Sequence, residues 1–232
     1  MPLQPRMPRL AHADAVGERS QCDASALSPL MQSAAVRCII IPGNGGTSTL
    51  AQLRRCNFYG KLEEVCSRAG HEAVLQPMPD PLAARQSVWL PFIRDTLGAD
   101  ADAVVVGHSS GAAAAMRLAE QHKLLGVVLV AAYDSDLGDE TEAASGYFTR
   151  PFDYAAMRRN CGFVVQFGGA VDSLVPIAVQ RRVAQGLRAA GGDAIFEYIE
   201  LEDEDHFFET RAGDIFHALS QGIAAVRPAA AR

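Results

Sequence analysis

The chain has 232 residues, 49% of them hydrophobic and 21% charged, which suits one globular domain with a sizeable core. Its formal net charge of −6 and the lack of any Lys/Arg-rich run exclude nucleic acid as a general partner. No stretch nears the ~18 consecutive apolar residues of a membrane span, so no membrane association is expected.

In chain order, residues 1–33 carry neither apolar periodicity nor the apolar core of a secretory signal, and read as a disordered N-terminal tail. Residues 34–228 read as one domain. Cys38-Ile39-Ile40-Ile41 is a buried strand that ends in Pro42-Gly43-Asn44-Gly45-Gly46. Residues 50–68 are patterned as a helix. Ala73-Val74-Leu75 is a short strand, after which Pro77, Pro79 and Pro81 force an extended loop. Residues 83–97 are helical, with Pro91 breaking the pattern locally. Ala103-Val104-Val105-Val106 is a third strand, followed by Gly107-His108-Ser109-Ser110-Gly111 and an alanine-rich helix to about His122. Val127 to Val130 forms a fourth strand. Residues 133–160 break the rhythm and read as a cap-like insertion, because so long a segment between elements is usually functional. Phe163 to Phe167 is a fifth strand, 178–190 a helix, Ile195 to Ile199 a sixth strand and 210–226 the last helix.

The strands are continuously apolar rather than alternating, as strands covered on both faces are. With strand-helix alternation this predicts an α/β fold: an αβα three-layer sandwich on a parallel sheet of about six strands, ordered 2-1-3-4-5-6. Five cysteines, Cys22, Cys38, Cys56, Cys66 and Cys161, show no CxxC spacing and are odd in number. They fit neither a disulfide framework nor a thiolate zinc site, and the expected compartment is a reducing one, the cytoplasm.

Gly107-His108-Ser109-Ser110-Gly111 matches G-x-S-x-G. In that pattern a serine sits on a strained strand-to-helix turn with its hydroxyl projecting, and the flanking glycines let the two backbones crowd together. Four strand residues precede it and Ala112-Ala113-Ala114-Ala115 follow, so Ser109 is the candidate nucleophile. The bland alternative is a glycine-rich turn without chemistry. A serine needs a base. Of six histidines, His108 lies inside the turn and points elsewhere, His12 is in the tail, and His71, His122 and His217 lie near or within helices. His206, between the sixth strand and the last helix, completes the expected chain order of serine, acid, histidine. Asp172, leaving the fifth strand, is the candidate acid, with Asp134, Asp136 and Asp139 as fallbacks. Asp203 and Asp205 are too near His206 in sequence. Ser110 and the Asn44-Gly45 loop are the candidate oxyanion-hole donors. The 43–46 loop lacks the third glycine of a dinucleotide loop and the lysine of a P-loop, so no nucleotide cofactor is expected, nor a metal. Trp89, Tyr147 and Phe148 are the candidate substrate-binding residues, with simple core packing as the bland reading of Trp89. Glu200, Glu202, Asp203, Glu204 and Asp205 crowd towards His206 and would raise the pH at which it loses its proton.

The strings Ile41-Pro42-Gly43-Asn44-Gly45-Gly46, Trp89-Leu90-Pro91-Phe92, Gly107 to Gly111, Ser145-Gly146-Tyr147-Phe148-Thr149-Arg150-Pro151, Gln166-Phe167-Gly168 and His206-Phe207 resemble the retinoblastoma-binding protein 9 family of serine hydrolases, in the α/β-hydrolase superfamily. The resemblance runs over about residues 36–225. It implies a triad at Ser109, Asp172 and His206, no cofactor, and hydrolysis of small esters or amides, with aminopeptidase-like activity among the family's properties. Where the human member has Leu-x-Cys-x-Glu, this chain has Leu97-Gly98-Ala99-Asp100-Ala101, so the retinoblastoma protein is not an expected partner. A catalytically silent interaction module on the same scaffold is the alternative reading.

Overall fold

The computed structural model describes residues 35–45, 49–208 and 211–227. The tail expected over residues 1–33 lies outside them. The elements run β1 Arg37–Ile41, α1 Leu50–Leu53, α2 Tyr59–Arg68, β2 Glu72–Leu75, α3 Gln86–Pro91, β3 Ala103–His108, α4 Ser110–Gln121, β4 Leu124–Val130, α5 Glu140–Ser145, α6 Tyr154–Asn160, β5 Cys161–Gly169, α7 Ile177–Ala189, β6 Ile195–Leu201 and α8 Ala212–Val226. All six strands are parallel, in the order β2-β1-β3-β4-β5-β6 anticipated from the sequence. No described helix is long and apolar enough to cross a membrane.

The central strands β3 and β4 are buried along their whole length because each face of the sheet meets its own helices. Side chains alternate between faces along a strand. Ile39, Ile41, Val105, Val127, Leu129 and Val164 face a core shared with Trp89, the α4 alanines, Met157, Val183 and Leu187. Cys38, Ile40, Val104, Val106, Val128, Val130 and Phe163 face the opposite core, with Leu62 and Cys66 of α2 and Ile215, Leu219 and Ile223 of α8. Each such large apolar side chain contributes roughly 1.5–3 kcal/mol on burial. Register aligns Ile41 with Gly107, Gly107 with Leu129, and Leu129 with Gln166. The loops after β1, β3, β4 and β5 therefore leave one edge of the sheet together.

Three stretches depart from the expected pattern. The helix expected over residues 50–68 is two, because the chain turns at Asn57, whose φ is +48°, a conformation asparagine tolerates better than most residues. The helix expected over 83–97 begins only at Gln86 and widens into a π-helical turn over Phe92–Thr96, directly after Pro91; proline lacks the N–H that regular α-helix requires there. The insertion 133–160 contains α5 and α6. It is tied down by the buried Arg117 of α4, whose guanidinium lies 3.7 Å from the Phe152 ring centre and donates to the Tyr147, Arg150 and Pro151 carbonyls. Glu120 completes that anchor with ion pairs to Arg117 and Arg150.

Candidate active site

Ser109 stands between β3 and α4 with φ +55° and ψ −122°. That conformation is strained for a residue with a side chain and is held from both sides. The Ser109 N–H donates to the Val130 carbonyl at 3.0 Å, and its own carbonyl accepts from Ala112 and Ala113. The flanking glycines are sterically required. A Cβ at Gly107 would collide with the Gly111 carbonyl, and one at Gly111 with the Ile41 carbonyl. The turn is thus wedged against the end of β1, and Ser109 keeps 9% exposure.

Asp172 follows β5 in a loop that wraps its carboxylate in donors. Oδ1 accepts from the Leu174 and Val175 N–H groups at 2.9 and 2.7 Å, and Oδ2 accepts from Gln180 Nε2 at 2.9 Å. His206 Nδ1 lies 3.0 Å from both carboxylate oxygens, with the Asp172 side chain fully buried. A carboxylate only accepts here, so Nδ1 carries the proton and Nε2 keeps a free lone pair. No hydrogen bond joins Ser109 Oγ to His206 among the described residues, but the His206 ring packs 4.8 Å from that of His108, the residue before Ser109. The fallback acids lie elsewhere: Asp134 pairs with Arg182 and Asp139 caps α5, and Asp136 accepts from Gly138.

Three expected assignments change. The Gly45 N–H donates to the Pro81 carbonyl at 3.0 Å, so it is spent and cannot receive an oxyanion. The Asn44 and Ser110 N–H groups have no hydrogen-bond partner among the described residues. Trp89, a candidate substrate-binding residue, belongs to the core: it has no exposed surface, and its indole N–H donates to the Pro79 carbonyl at 2.7 Å. Tyr147, also expected to bind substrate, likewise has no exposed surface, and its hydroxyl has no hydrogen-bond partner among the described residues. Phe148 is half-buried and stacks on Tyr133 at 5.3 Å.

Four other residues shape the site. His108 Nε2 lies 3.1 Å from the His206 carbonyl, which can only accept, so Nε2 bears the proton and Nδ1 accepts from the Tyr59 hydroxyl at 2.6 Å. The Tyr59 oxygen in turn accepts the Gly43 N–H at 3.1 Å. One buried chain thereby joins the loop after β1 to the backbone of the histidine loop. Burial foremost, then the nearby His206, pushes the His108 pKa down to about 3, which keeps this ring neutral. Gln180 clamps the acid loop through Asp172 and the Val175 carbonyl. Asn57 holds the Phe207 carbonyl at 3.0 Å. Pairwise patterning cannot reveal such contacts, since the partners lie as far as 150 positions apart.

The acidic run beside His206 is largely matched by arginines. Glu200 pairs with Arg181, and both Asp203 and Glu204 pair with Arg211. Asp205 accepts the Ser173 N–H at 2.7 Å, and this contact foremost holds its carboxyl below the usual range. The run therefore braces the acid loop and the histidine loop. Its expected effect on the pH profile is reduced accordingly.

No protein-family model matches the chain. It is 39% identical over 184 residues to the serine hydrolase RBBP9 of Rattus norvegicus, an alignment covering 79% of this chain and 91% of the rat protein. Among solved structures it is similar to the ydeN gene product of B. subtilis, with TM-score 0.67 and 20% identity over 82% of this chain and all of that one. The monoacylglycerol lipase of Paleococcus ferrophilus gives TM-score 0.55 at 18% identity, covering 82% of this chain and 94% of the lipase. These two likenesses carry the α/β-hydrolase fold. The rat relative, at its level of identity and coverage, carries the family and the enzyme class. The chain belongs to the RBBP9 family of serine hydrolases.

Proposed function

We propose that the protein cleaves small carboxylic esters or amides by acyl transfer through Ser109, His206 and Asp172. The observation that carries this reading is the pairing of His206 Nδ1 with a buried Asp172 carboxylate beside a positive-φ Ser109. His206 Nε2 takes the Ser109 proton as Oγ attacks the acyl carbon. The Ser110 and Asn44 N–H groups receive the oxyanion. Ser110 is the first residue of α4, and a helix N-terminus favours developing negative charge. The imidazolium then protonates the leaving alcohol or amine. Water attacks the acyl-enzyme with His206 again as base, and Ser109 is restored. Asp172 stays ionised, stabilises the imidazolium and fixes its orientation.

The test is a panel of small esters, thioesters and aminoacyl amides turned over by the wild type and by Ser109→Ala. Turnover of one class by the wild type, abolished in the variant, supports the reading. Equal turnover by both proteins removes it.

A further inference from the structure

The two N–H groups that the acyl-transfer reading assigns to the oxyanion come from different segments: Asn44 follows β1 and Ser110 opens α4. They serve one oxygen only if both reach it at hydrogen-bond distance. An error of about 1 Å in such a site costs on the order of 10²-fold in rate. The loop after β1 is tied at Gly43 to Tyr59 and at Gly45 to Pro81. Asn44 lies between these ties, and its side chain donates from Nδ2 to Glu142 Oε1 at 3.0 Å. The Ser110 hydroxyl donates to the same atom at 3.1 Å. A single oxygen therefore joins the side chains of both donor residues.

Glu142, the third residue of α5, is itself held firmly. The Asp139 carboxylate accepts from the Thr141 and Glu142 N–H groups at 2.8 and 2.9 Å, and the Glu142 carbonyl accepts from the Ser145 hydroxyl at 2.6 Å. Oε2 accepts from the buried Tyr133 hydroxyl at 2.8 Å, and that hydroxyl also lies 3.1 Å from Ser110 Oγ. Buried Glu120, Glu204 and Asp172 each have a basic partner; Glu142, 9% exposed, has none within ion-pair distance among the described residues. A buried acid without a counter-charge is destabilising, and beside an oxyanion its charge works against the transition state. The compensating gain is geometric. A carboxylate only accepts, so it can take donors from the β1 loop, from α4 and from the β4 loop at once. It also binds them more tightly than a neutral acceptor does.

Resting on the acyl-transfer reading above, we infer that Glu142 is a positioning residue of the oxyanion hole. Through Oε1 it fixes the Asn44 N–H relative to the Ser110 N–H, and so brings the 133–160 insertion to bear on the transition state without touching substrate. Ground-state binding does not depend on the spacing of these two donors and is left alone.

The experiment measures kcat and KM for one phenyl ester with the wild type, Glu142→Gln, Asn44→Ala and the double variant, beside a thermal melt of each. Glu142→Gln replaces one acceptor by an N–H₂ group. Asn44→Ala cuts the tie from the other side and keeps the Asn44 backbone N–H. Each single variant should lower kcat by about 10–10²-fold, less than the 10²–10³-fold that follows outright loss of a donor, with KM nearly unchanged. The affinity of a boronic acid, whose tetrahedral adduct on Ser109 sets an oxygen in the place of the oxyanion, should weaken by the same factor as kcat/KM. The double variant should lose no more than the more damaged single, because both changes cut one connection. A purely structural brace would lower the melting temperature and leave kcat and boronic acid affinity in place. Unchanged kcat in both singles, losses that multiply in the double variant, or a rise in KM alone overturns the assignment. If Glu142→Gln does not fold, Asn44→Ala at its half-buried position decides by the same split of kcat against KM. Fluorophosphonate labelling separates the two failures: an unlabelled wild type overturns acyl transfer at Ser109 and the assignment with it, whereas a labelled wild type whose variants keep kcat overturns the role of Glu142 alone.

Discussion

The Tyr59 hydroxyl donates to His108 Nδ1 at 2.6 Å, and with the Gly43 N–H behind it this contact couples the loop after β1 to the loop that carries His206. Both groups are buried, so removing the hydroxyl strands a donor on Gly43 and an acceptor on His108. Tyr59→Phe should cost about 1–3 kcal/mol of stability, read as a lower urea midpoint at unchanged slope. It should also lower kcat, because both loops lose their common tether.

The same chain sets a pH dependence of stability. The His108 pKa lies near 3 in the folded protein against an ordinary value of 6.5. Below 6.5 the unfolded chain binds a proton that the folded protein refuses. The His108 share of stability is therefore complete above pH 6.5 and is lost as pH falls towards 3. At about 1.4 kcal/mol per unit the loss reaches roughly 3 kcal/mol by pH 4. Urea titrations at pH 7 and pH 4.5 should show a smaller loss in His108→Gln than in the wild type. Equal losses would contradict the account.

Asp172→Asn keeps the shape of the acid but can present an N–H to His206 Nδ1. That favours the wrong tautomer, with the proton on Nε2 and no lone pair for Ser109. The turnover number should fall on the order of 10³–10⁴-fold. A loss of less than tenfold would show that Asp172 does not orient the base.

Neutralising Glu202, Asp203 and Glu204 together should leave the rate-against-pH profile nearly in place, because Arg211 already meets two of the three charges. The variant should instead be less stable, since Arg211 loses Asp203 and Glu204 and keeps only the looser pair with Asp214 at 4.0 Å. Profiles recorded at low and high salt, beside a thermal melt, check both halves. A shift of the acidic limb with stability unchanged would restore a direct electrostatic role for the run.

Trp89→Ala should cost about 3–5 kcal/mol by leaving a cavity in the core, with KM unchanged in the protein that remains folded. A raised KM at wild-type stability would return Trp89 to the pocket wall.

Much of the architecture was legible because it rests on local pattern. Apolar runs in the central strands announced a doubly covered parallel sheet, and Gly107-His108-Ser109-Ser110-Gly111 between strand and alanine-rich helix announced the turn. What stayed hidden depends on partners distant in sequence. Gly45 reads as a free donor until Pro81 is found accepting its N–H. Glu142 reads as one acid among several until the fold sets it against Asn44 and Ser110, 98 and 32 positions away. Asn57 splits a helix whose periodicity runs straight through it, because its left-handed turn lets the side chain reach Phe207.

The central claim is that Ser109 is the nucleophile. Intact-mass measurement after treatment with a fluorophosphonate tests it most directly. The account predicts one adduct on the wild type and none on a folded Ser109→Ala protein, whose strained turn and buried surroundings are otherwise retained. An adduct that persists on Ser109→Ala, or a wild type that takes up none, would contradict it.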